Sequence, residues 1–286
     1  MKMTLEIKVD DLDLFTKVLN ATATVLEDEG TFVISPNDGM TLRNMDKPRF
    51  AMVDLKIKPE YFHGDFKCDK EYKISIQMQD LKKILQRGGK EDNLTITLNE
   101  EKNLLNFIFE GRVKRQFILP LSEPEESTLP DPSALKYDVK AVLFSGSLTD
   151  FIKDASIIGG SINLHAESNK MIFSSSQDNR EVKIEIDAQS ENSAAKLIEA
   201  EGTHEALYSI DSFKNLILVD QAFSEVQLTF TSVRPLHLLY TDARGIELGY
   251  LLAPMQPEID DELEGSTTDD DYDDDEYDDE YDDEED

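Results

Sequence analysis

The sequence predicts an α+β protein made of two similar halves, each built from antiparallel strands and two helices. Three observations support this prediction: many short segments alternate apolar and polar residues, four longer segments carry helical spacing, and the order of these elements occurs twice. The chain has 286 residues, which is long enough for two domains with a sizeable core.

Short alternating segments predict the strands. In residues 3–9, for example, Leu5, Ile7 and Val9 share one face, which is typical of a half-buried antiparallel strand. The sequences NDG at 37–39 and NEEKN at 99–103 predict hairpin turns. The other predicted strands lie around residues 51–57, 74–76, 94–98, 182–186 and 226–230.

Four segments instead carry apolar residues three and four positions apart. This spacing places the apolar side chains on one side of a helix and predicts that this side packs in the core. The predicted helices cover residues 11–24, 79–87, 147–158 and 209–219.

The second half of the chain repeats the first. LFTKVLNATATVLEDEGTFVIS resembles DFIKDASIIGGSINLHA, and DLKKILQRGGKEDNLTITL resembles SFKNLILVDQAFSEVQLTF, at an offset of about 130–136 residues. We therefore predict one domain over residues 1–118 and a second over 139–256. Residues 119–138 contain four prolines and several acids, which predicts an extended surface connector between the two domains.

The chain is strongly acidic, with a net charge of −32, but the acids are unevenly distributed. Residues 257–286 hold 20 Asp and Glu and no Lys or Arg, which leaves a net charge of −12 on residues 1–256. A segment of that composition cannot bury enough apolar surface to fold, so we predict a disordered acidic tail.

Composition and motifs argue against several classes of protein. The single cysteine allows no internal disulfide, and the sequence shows no signal peptide or membrane-spanning run. These features favour an intracellular protein that does not bind a membrane. No nucleophile elbow, phosphate loop, dinucleotide fingerprint or zinc-protease motif occurs. The four histidines at 63, 165, 204 and 237 are scattered. We therefore expect no catalytic activity, no cofactor and no metal site.

The segment DLKKILQRGGK, residues 80–90, concentrates bases in this acidic chain. On a helix, Lys82, Lys83 and Arg87 share a side opposite to the apolar stripe. A solvated surface explains one such lysine, but a base on every helix of a duplicated pattern favours a surface that faces phosphates. These bases are too few for tight nonspecific binding, so geometry would have to hold the chain on DNA. The other three helices add Lys17, Lys153 and Lys214.

Four segments carry a resemblance to a known family. GMTLRNMDKPRFAMVDL (39–55), DLKKILQRGGKED (80–92), LTDFIKDASII (148–158) and LGYLLAP (248–254) are similar, in order and spacing, to the DNA sliding clamps of archaea and eukaryotes, the proliferating cell nuclear antigen family. The resemblance covers residues 1–256. It implies a closed ring of three identical chains around duplex DNA, with helices lining the hole and sheets outside.

The resemblance also implies partners and a location. Family members tether DNA polymerase, the clamp loader, flap nuclease, ligase and other enzymes with a clamp-binding motif. The expected location is the cytoplasm, at the nucleoid, or the nucleus in a eukaryote.

Site residues implied by the resemblance fall into three groups. The DNA-facing group is Lys17, Lys82, Lys83, Arg87, Lys153 and Lys214. The pocket for a partner motif is Met45, Arg49, Phe50, Met52, Leu129, Tyr137, Pro235, Leu251, Leu252, Ala253 and Pro254. The subunit interface would use Arg87, Arg115, Asp150 and Asp154, with an edge strand near 111–118 pairing to an edge near 171–177 of the neighbour.

Two other functions are compatible with the sequence. The chain could be one subunit of a heterotrimeric or checkpoint-type clamp, which the mass of the purified protein would distinguish from a homotrimer. Alternatively, the acidic tail could make the chain a chaperone for basic proteins, which predicts activity in the isolated tail. The tail could also solubilise the chain, engage basic partners or compete with DNA for the basic helices.

Overall fold

The computed structural model describes residues 5–9, 11–124 and 128–255. Its internal contacts divide the chain into Met1–Met255 and Gln256–Asp286. The predicted acidic tail at 257–286 and the first two residues of the strand predicted at 3–9 lie outside the described residues. No helix among the described residues is both long and apolar enough to cross a membrane.

Strands and helices follow the predicted order in both halves. The first half contains β1 (Leu5–Val9), α1 (Leu12–Leu26), β2 (Glu29–Ser35), β3 (Gly39–Met45), β4 (Ala51–Ile57), β5 (Phe66–Cys68), β6 (Tyr72–Gln77), α2 (Met78–Leu85), β7 (Asn93–Asn99), β8 (Leu104–Glu110) and β9 (Lys114–Pro120). The second half contains β10 (Val139–Phe144), α3 (Ser147–Ile158), β11 (Ser161–Glu167), β12 (Lys170–Gln177), β13 (Arg180–Asp187), β14 (Ala195–Ala200), β15 (Thr203–Ser209), α4 (Ile210–Leu216), β16 (Glu225–Thr231), β17 (Arg234–Asp242) and β18 (Ile246–Leu252).

The strands form three antiparallel sheets. One has five strands in the order β5-β1-β7-β8-β9, and another has four in the order β13-β12-β11-β15. The third has nine strands, β14-β10-β16-β17-β18-β4-β3-β2-β6, and therefore contains strands from both halves. The two halves meet where β18 pairs with β4, with Leu248 opposite Leu55 and Tyr250 opposite Val53.

The strands equivalent to β18 and β4 in the duplicated pattern lie at the edges of two sheets. The duplication makes β9 equivalent to β18 and β13 equivalent to β4, because β1-β7-β8-β9 repeats as β10-β16-β17-β18 and β4-β3-β2-β6 repeats as β13-β12-β11-β15. Within the described residues, β9 pairs only with β8 and β13 only with β12. The described residues thus present two edge strands, β9 and β13, that are equivalent to the two strands paired at the internal junction.

The edge predicted near 171–177 was wrong. Residues 171–177 belong to β12, which pairs with β11 on one side and with β13 on the other. A two-residue turn at Asp178 and Asn179 connects β12 to β13, and both residues have positive φ, of 50° and 63°. Such a turn matches the twist of a hairpin, so the chain folds back and β13 becomes the edge.

Four helices pack side by side as one layer. α1 contacts α2, α3 contacts α4, and α1 also contacts α4, so the order in the layer is α2-α1-α4-α3. Each helix buries its apolar stripe, as in α2, where Met78, Leu81, Ile84 and Leu85 are buried. α2 ends two residues earlier than predicted, and Lys90 therefore lies in a turn.

One continuous core connects the two halves. Buried apolar residues of both halves form a single cluster, from Leu5 in β1 to Leu252 in β18. The predicted α+β fold is confirmed, and this shared core holds the helix layer on the sheets.

A buried carboxylate holds the start of α3. The N-cap of α3 is Gly146, which has no side chain to cap the helix. Asp220 supplies the acceptor instead: its Oδ2 lies 3.1 Å from the backbone nitrogen of Thr149 and 2.9 Å from Thr149 Oγ1, both of which donate hydrogen bonds. Asp220 is only 1% exposed, and this burial raises the pKa of its carboxyl group.

We expect Asp220→Ala to lower the free energy of unfolding by about 1–3 kcal/mol, because the first turn of α3 loses its acceptor in a buried setting. Asp220→Asn keeps an acceptor oxygen and should cost less. Urea unfolding of the three proteins measures the difference. An Asp220→Ala variant as stable as the wild type would contradict the capping role.

Candidate functional site

The outward side of the helix layer carries the predicted DNA-facing bases. Lys17 lies on α1, Lys82 and Lys83 on α2, Lys153 on α3 and Lys214 on α4. Arg87 follows α2, where its backbone N–H donates to the carbonyl of Ile84 at 3.0 Å. The structure therefore places the five lysines on one layer and Arg87 just beyond it.

Most of these lysines have an acidic neighbour on the same helix. Lys17 Nζ lies 2.6 Å from Asp13 and Lys83 Nζ lies 3.0 Å from Asp80. Lys153 Nζ lies 3.7 Å from Asp150, and Lys214 Nζ lies 3.4 Å from Asp211. Lys82 differs, because its ammonium group donates a hydrogen bond of 2.7 Å to Thr24 Oγ1 on α1.

A row of side chains on the other side of the nine-stranded sheet forms the candidate partner groove. Directly opposite residues on paired strands share a face, and Met45, Met52, Leu251 and His237 are opposite one another in turn across β3, β4, β18 and β17. Met52 is 1% exposed and Leu251 is 6% exposed, yet neither belongs to the main core cluster. We call these four residues the groove row.

The hairpin between β3 and β4 borders the groove row. Phe50 is 58% exposed, and its carbonyl accepts a hydrogen bond of 2.8 Å from the backbone of Ala253. Arg49 is exposed in the hairpin with a φ of 62°. Pro235 and Pro254 are half-buried.

Leu252 does not line the groove. Adjacent residues of a strand point to opposite faces, so Leu252 points away from Leu251 and belongs to the core cluster. The prediction that Leu252 lines the partner pocket was therefore wrong.

The connector crosses the groove row at Tyr137. The ring of Tyr137 stacks on His237 with centroids 6.2 Å apart, and Arg234 donates a hydrogen bond to the carbonyl of Lys136. Leu129 is half-buried within the connector. Farther along, Arg43 holds Asp54 through two bonds of 3.0 Å and lies 3.5 Å from Asp131 of the connector.

The space under the connector is an open cavity of about 1300 Å³ next to the groove row. Its lining includes the ion-paired Arg43 and Asp54, together with His237 and Tyr137. His237 lies over Gly249, where a Cβ atom would come within 3.2 Å of His237 Nε2. Glycine therefore makes room for the imidazole ring.

The predicted interface residues lie near the β9 edge and on α3. Arg115 on β9 forms an ion pair with Asp92 and donates a 2.7 Å hydrogen bond to the carbonyl of Arg87. Arg115 and Arg87 are therefore adjacent. Asp150 pairs with Lys153, and Asp154 is exposed on the same helix.

Comparisons with known proteins decide the family. The model of the proliferating cell nuclear antigen N-terminal domain matches residues 4–120. A DNA polymerase sliding clamp of Thermococcus onnurineus (strain NA1) is 32% identical over 252 residues, covering 88% of this chain and 98% of the relative. The chain belongs to the DNA polymerase sliding clamp family.

Other relatives agree with this membership. DNA polymerase sliding clamp 1 of Thermococcus kodakarensis is 32% identical over 256 residues, covering 90% of this chain and all of the relative. A crystal structure of a PCNA2–PCNA3 complex from Sulfolobus tokodaii matches with a TM-score of 0.79 and 26% identity, covering 87% of this chain and 98% of that one. The PCNA structure from Thermococcus kodakaraensis has a TM-score of 0.80 at 24% identity, over 88% of this chain and 100% of that one, which shows the shared fold.

The clamp's predicted function and lack of catalytic chemistry follow from the family. Sliding clamps are non-enzymatic processivity factors of DNA replication, and the prediction that this chain is one is confirmed. Among the described residues, no group of three His, Cys, Asp or Glu could hold a metal ion.

Two features of the clamp's sites were missed in the sequence. His237 lies on the groove row, and the alternation of Leu236, Leu238 and Tyr240 toward the core was the signal that His237 points outward. The second missed feature is the aspartate that precedes a lysine by three or four residues on each helix. This spacing alone predicts ion pairs on a helix.

We expect His237 to make the stability of the clamp depend on pH. Burial lowers the pKa of His237, against a smaller opposing effect of Asp54. In the unfolded chain the imidazole takes a proton below about pH 6.5. The folded state resists protonation, so stability is full above that pH and declines as the pH falls toward the lowered folded pKa.

Thermal unfolding between pH 7.5 and 5.5 measures this effect. His237→Gln should lose less stability over this interval than the wild type. His63→Asn changes an exposed histidine in a loop and serves as the control. Equal pH dependence of the wild type and His237→Gln would contradict the assignment.

Proposed function

We propose that three copies of this chain close into a ring around duplex DNA by repeating, between chains, the junction that β18 and β4 form within one chain. The unpaired edges β9 and β13 carry this proposal, because the duplication makes them equivalent to β18 and β4. The number of three chains comes from the family resemblance. We also propose the two clamp domains at 1–118 and 139–256, joined by the connector at 119–138.

The internal junction predicts the register between chains. Matching the buried faces makes Phe117 equivalent to Tyr250, and Val182 equivalent to Val53. Because Tyr250 is opposite Val53, Phe117 should lie opposite Val182 of the next chain.

The same register pairs the remaining side chains of the two edges. On the outer face, Lys114 then lies opposite Glu185, so that opposite charges meet, and the neutral Gln116 lies opposite Lys183. The exposed apolar residues Val113 and Ile118, which are 66% and 52% exposed, become covered.

Cross-linking tests this register. In a Cys68→Ser background, Gln116→Cys combined with Lys183→Cys should yield covalently linked chains of two and three units under mild oxidation, because opposite Cβ atoms lie about 4.5–5.5 Å apart. Ile118→Cys combined with Glu185→Cys is shifted along the strands and should link poorly. Equal linking of both pairs, or none in the first, would refute the register.

The mass of the purified protein separates a homotrimer from a heterotrimeric clamp. Three chains in solution, measured by light scattering, support the homotrimer. A stable monomer or dimer would instead favour a clamp completed by other chains.

We further propose that the groove row binds a short segment of DNA polymerase, the clamp loader, flap nuclease, ligase and similar partners. Buried Met52 and Leu251 lie outside the core cluster, beside exposed Phe50 and Met255. An apolar plug from a partner would cover this surface. The clamp would act wherever the cell keeps its DNA, at the nucleoid or in the nucleus.

Primer extension tests tethering and encirclement together. With a cognate polymerase and loader, the clamp should stimulate synthesis on circular DNA and much less on linear DNA, from which a ring slides off.

Phe50→Ala should lower that stimulation by about tenfold, which corresponds to a loss of about 1.4 kcal/mol of binding. Val233→Ala removes a side chain that is 83% exposed on another hairpin and is the matched control. Equal stimulation by both variants would argue against the groove, and equal stimulation on circles and linear DNA would argue against encirclement.

A further inference from the structure

We propose that four aspartates hold the DNA-facing lysines close to electrical neutrality, so that this clamp meets the phosphate backbone of duplex DNA with little net charge. The aspartates are Asp13, Asp80, Asp150 and Asp211. This inference rests on the proposal that the helix layer faces DNA. It adds that the contact with DNA is electrostatically weak, so that ring closure rather than charge retains the clamp.

The same arrangement occurs on every helix of the layer. In each pair the aspartate precedes the lysine by three or four residues, and the two charged groups lie 2.6–3.7 Å apart. α1, α2, α3 and α4 together contain five lysines and five aspartates, because Asp154 adds one acid to α3. The helices therefore carry no net charge.

Folding does not require these pairs. All eight side chains are about half exposed or more, and exposed ion pairs contribute about 0–1 kcal/mol to stability. The aspartates also lie in the first turns, where a negative charge favours the helix dipole. That effect accounts for an acid in the first turn, but it does not account for a lysine placed one turn later within reach.

A nearby carboxylate weakens the attraction of a lysine for phosphate. Charges in physiological salt interact over about 8 Å, so the aspartate repels a phosphate that comes close enough to contact the lysine. Lys82 is the exception on α2, because its ammonium group bonds the Thr24 hydroxyl rather than a carboxylate. We therefore expect Lys82, together with Arg87, to supply most of the net attraction for DNA.

The test measures the affinity of the assembled ring for linear duplex DNA over a salt series. Asp13→Asn, Asp80→Asn, Asp150→Asn and Asp211→Asn combined should tighten binding at least tenfold at low salt. The slope of log affinity against log salt should steepen by about 0.9 for each released lysine that contacts a phosphate. Exposed acids in loops and hairpins provide the matched control for the change in charge: Glu71→Gln, Glu101→Gln, Glu191→Gln and Glu201→Gln combined.

Equal affinity and slope for the two fourfold variants would overturn the inference. Primer extension on circular DNA tests the proposed function separately. If the wild-type clamp stimulates the polymerase but the two salt slopes coincide, only the neutralisation of the lysines is refuted. If the clamp does not stimulate the polymerase, tethering is refuted, and the salt slopes still show whether the aspartates neutralise the lysines.

A second set of variants covers the case in which the fourfold variant folds poorly. Lys83→Ala should change DNA affinity little in the wild type and several-fold in the Asp80→Asn background, because only there is the ammonium group unpaired. Lys82→Ala should lower affinity in both backgrounds. An equal effect of Lys83→Ala in the two backgrounds would contradict the proposal.

Discussion

The pairing of β18 with β4 is the interaction on which the rest of the molecule depends. Without it, the strands of the two halves would form separate sheets. With it, strands of both halves form one nine-stranded sheet, and the buried side chains join into a single cluster. The groove row crosses this same junction, since Met52 lies on β4 and Leu251 on β18. The groove row therefore exists only when the two halves are joined.

The same junction underlies both the proposed ring and its proposed weak contact with DNA. A duplicated chain that joins its halves through one pair of edges leaves the equivalent pair open at its ends, and open edges favour pairing with another chain. A ring formed in this way retains DNA by enclosing it. The helix layer then needs little attraction for phosphate, which is consistent with its five lysines matched by five aspartates.

Periodicity predicted the helices well, because burial of an apolar stripe dictates where they form, and duplication predicted the repeated order of elements. They could not predict which strands form edges, since that depends on turns such as Asp178-Asn179, whose positive φ values fold β13 back onto β12. The lysines on the helix layer were predicted from the helix pattern, but their ion pairs with aspartates were not, because attention to bases alone ignores i to i+4 neighbours. Leu252 was misplaced because a run of apolar residues does not reveal which of two neighbours faces the core.

Hydrogen exchange of the backbone amides of β9 and β13 tests the repeated junction most directly. In the assembled protein, we expect these amides to be protected about as well as those of β4 and β18, and to lose that protection on dilution to separate chains. Exchange at assembly concentrations as fast as that of the outer strands β5 and β14 would contradict pairing of β9 with β13 between chains.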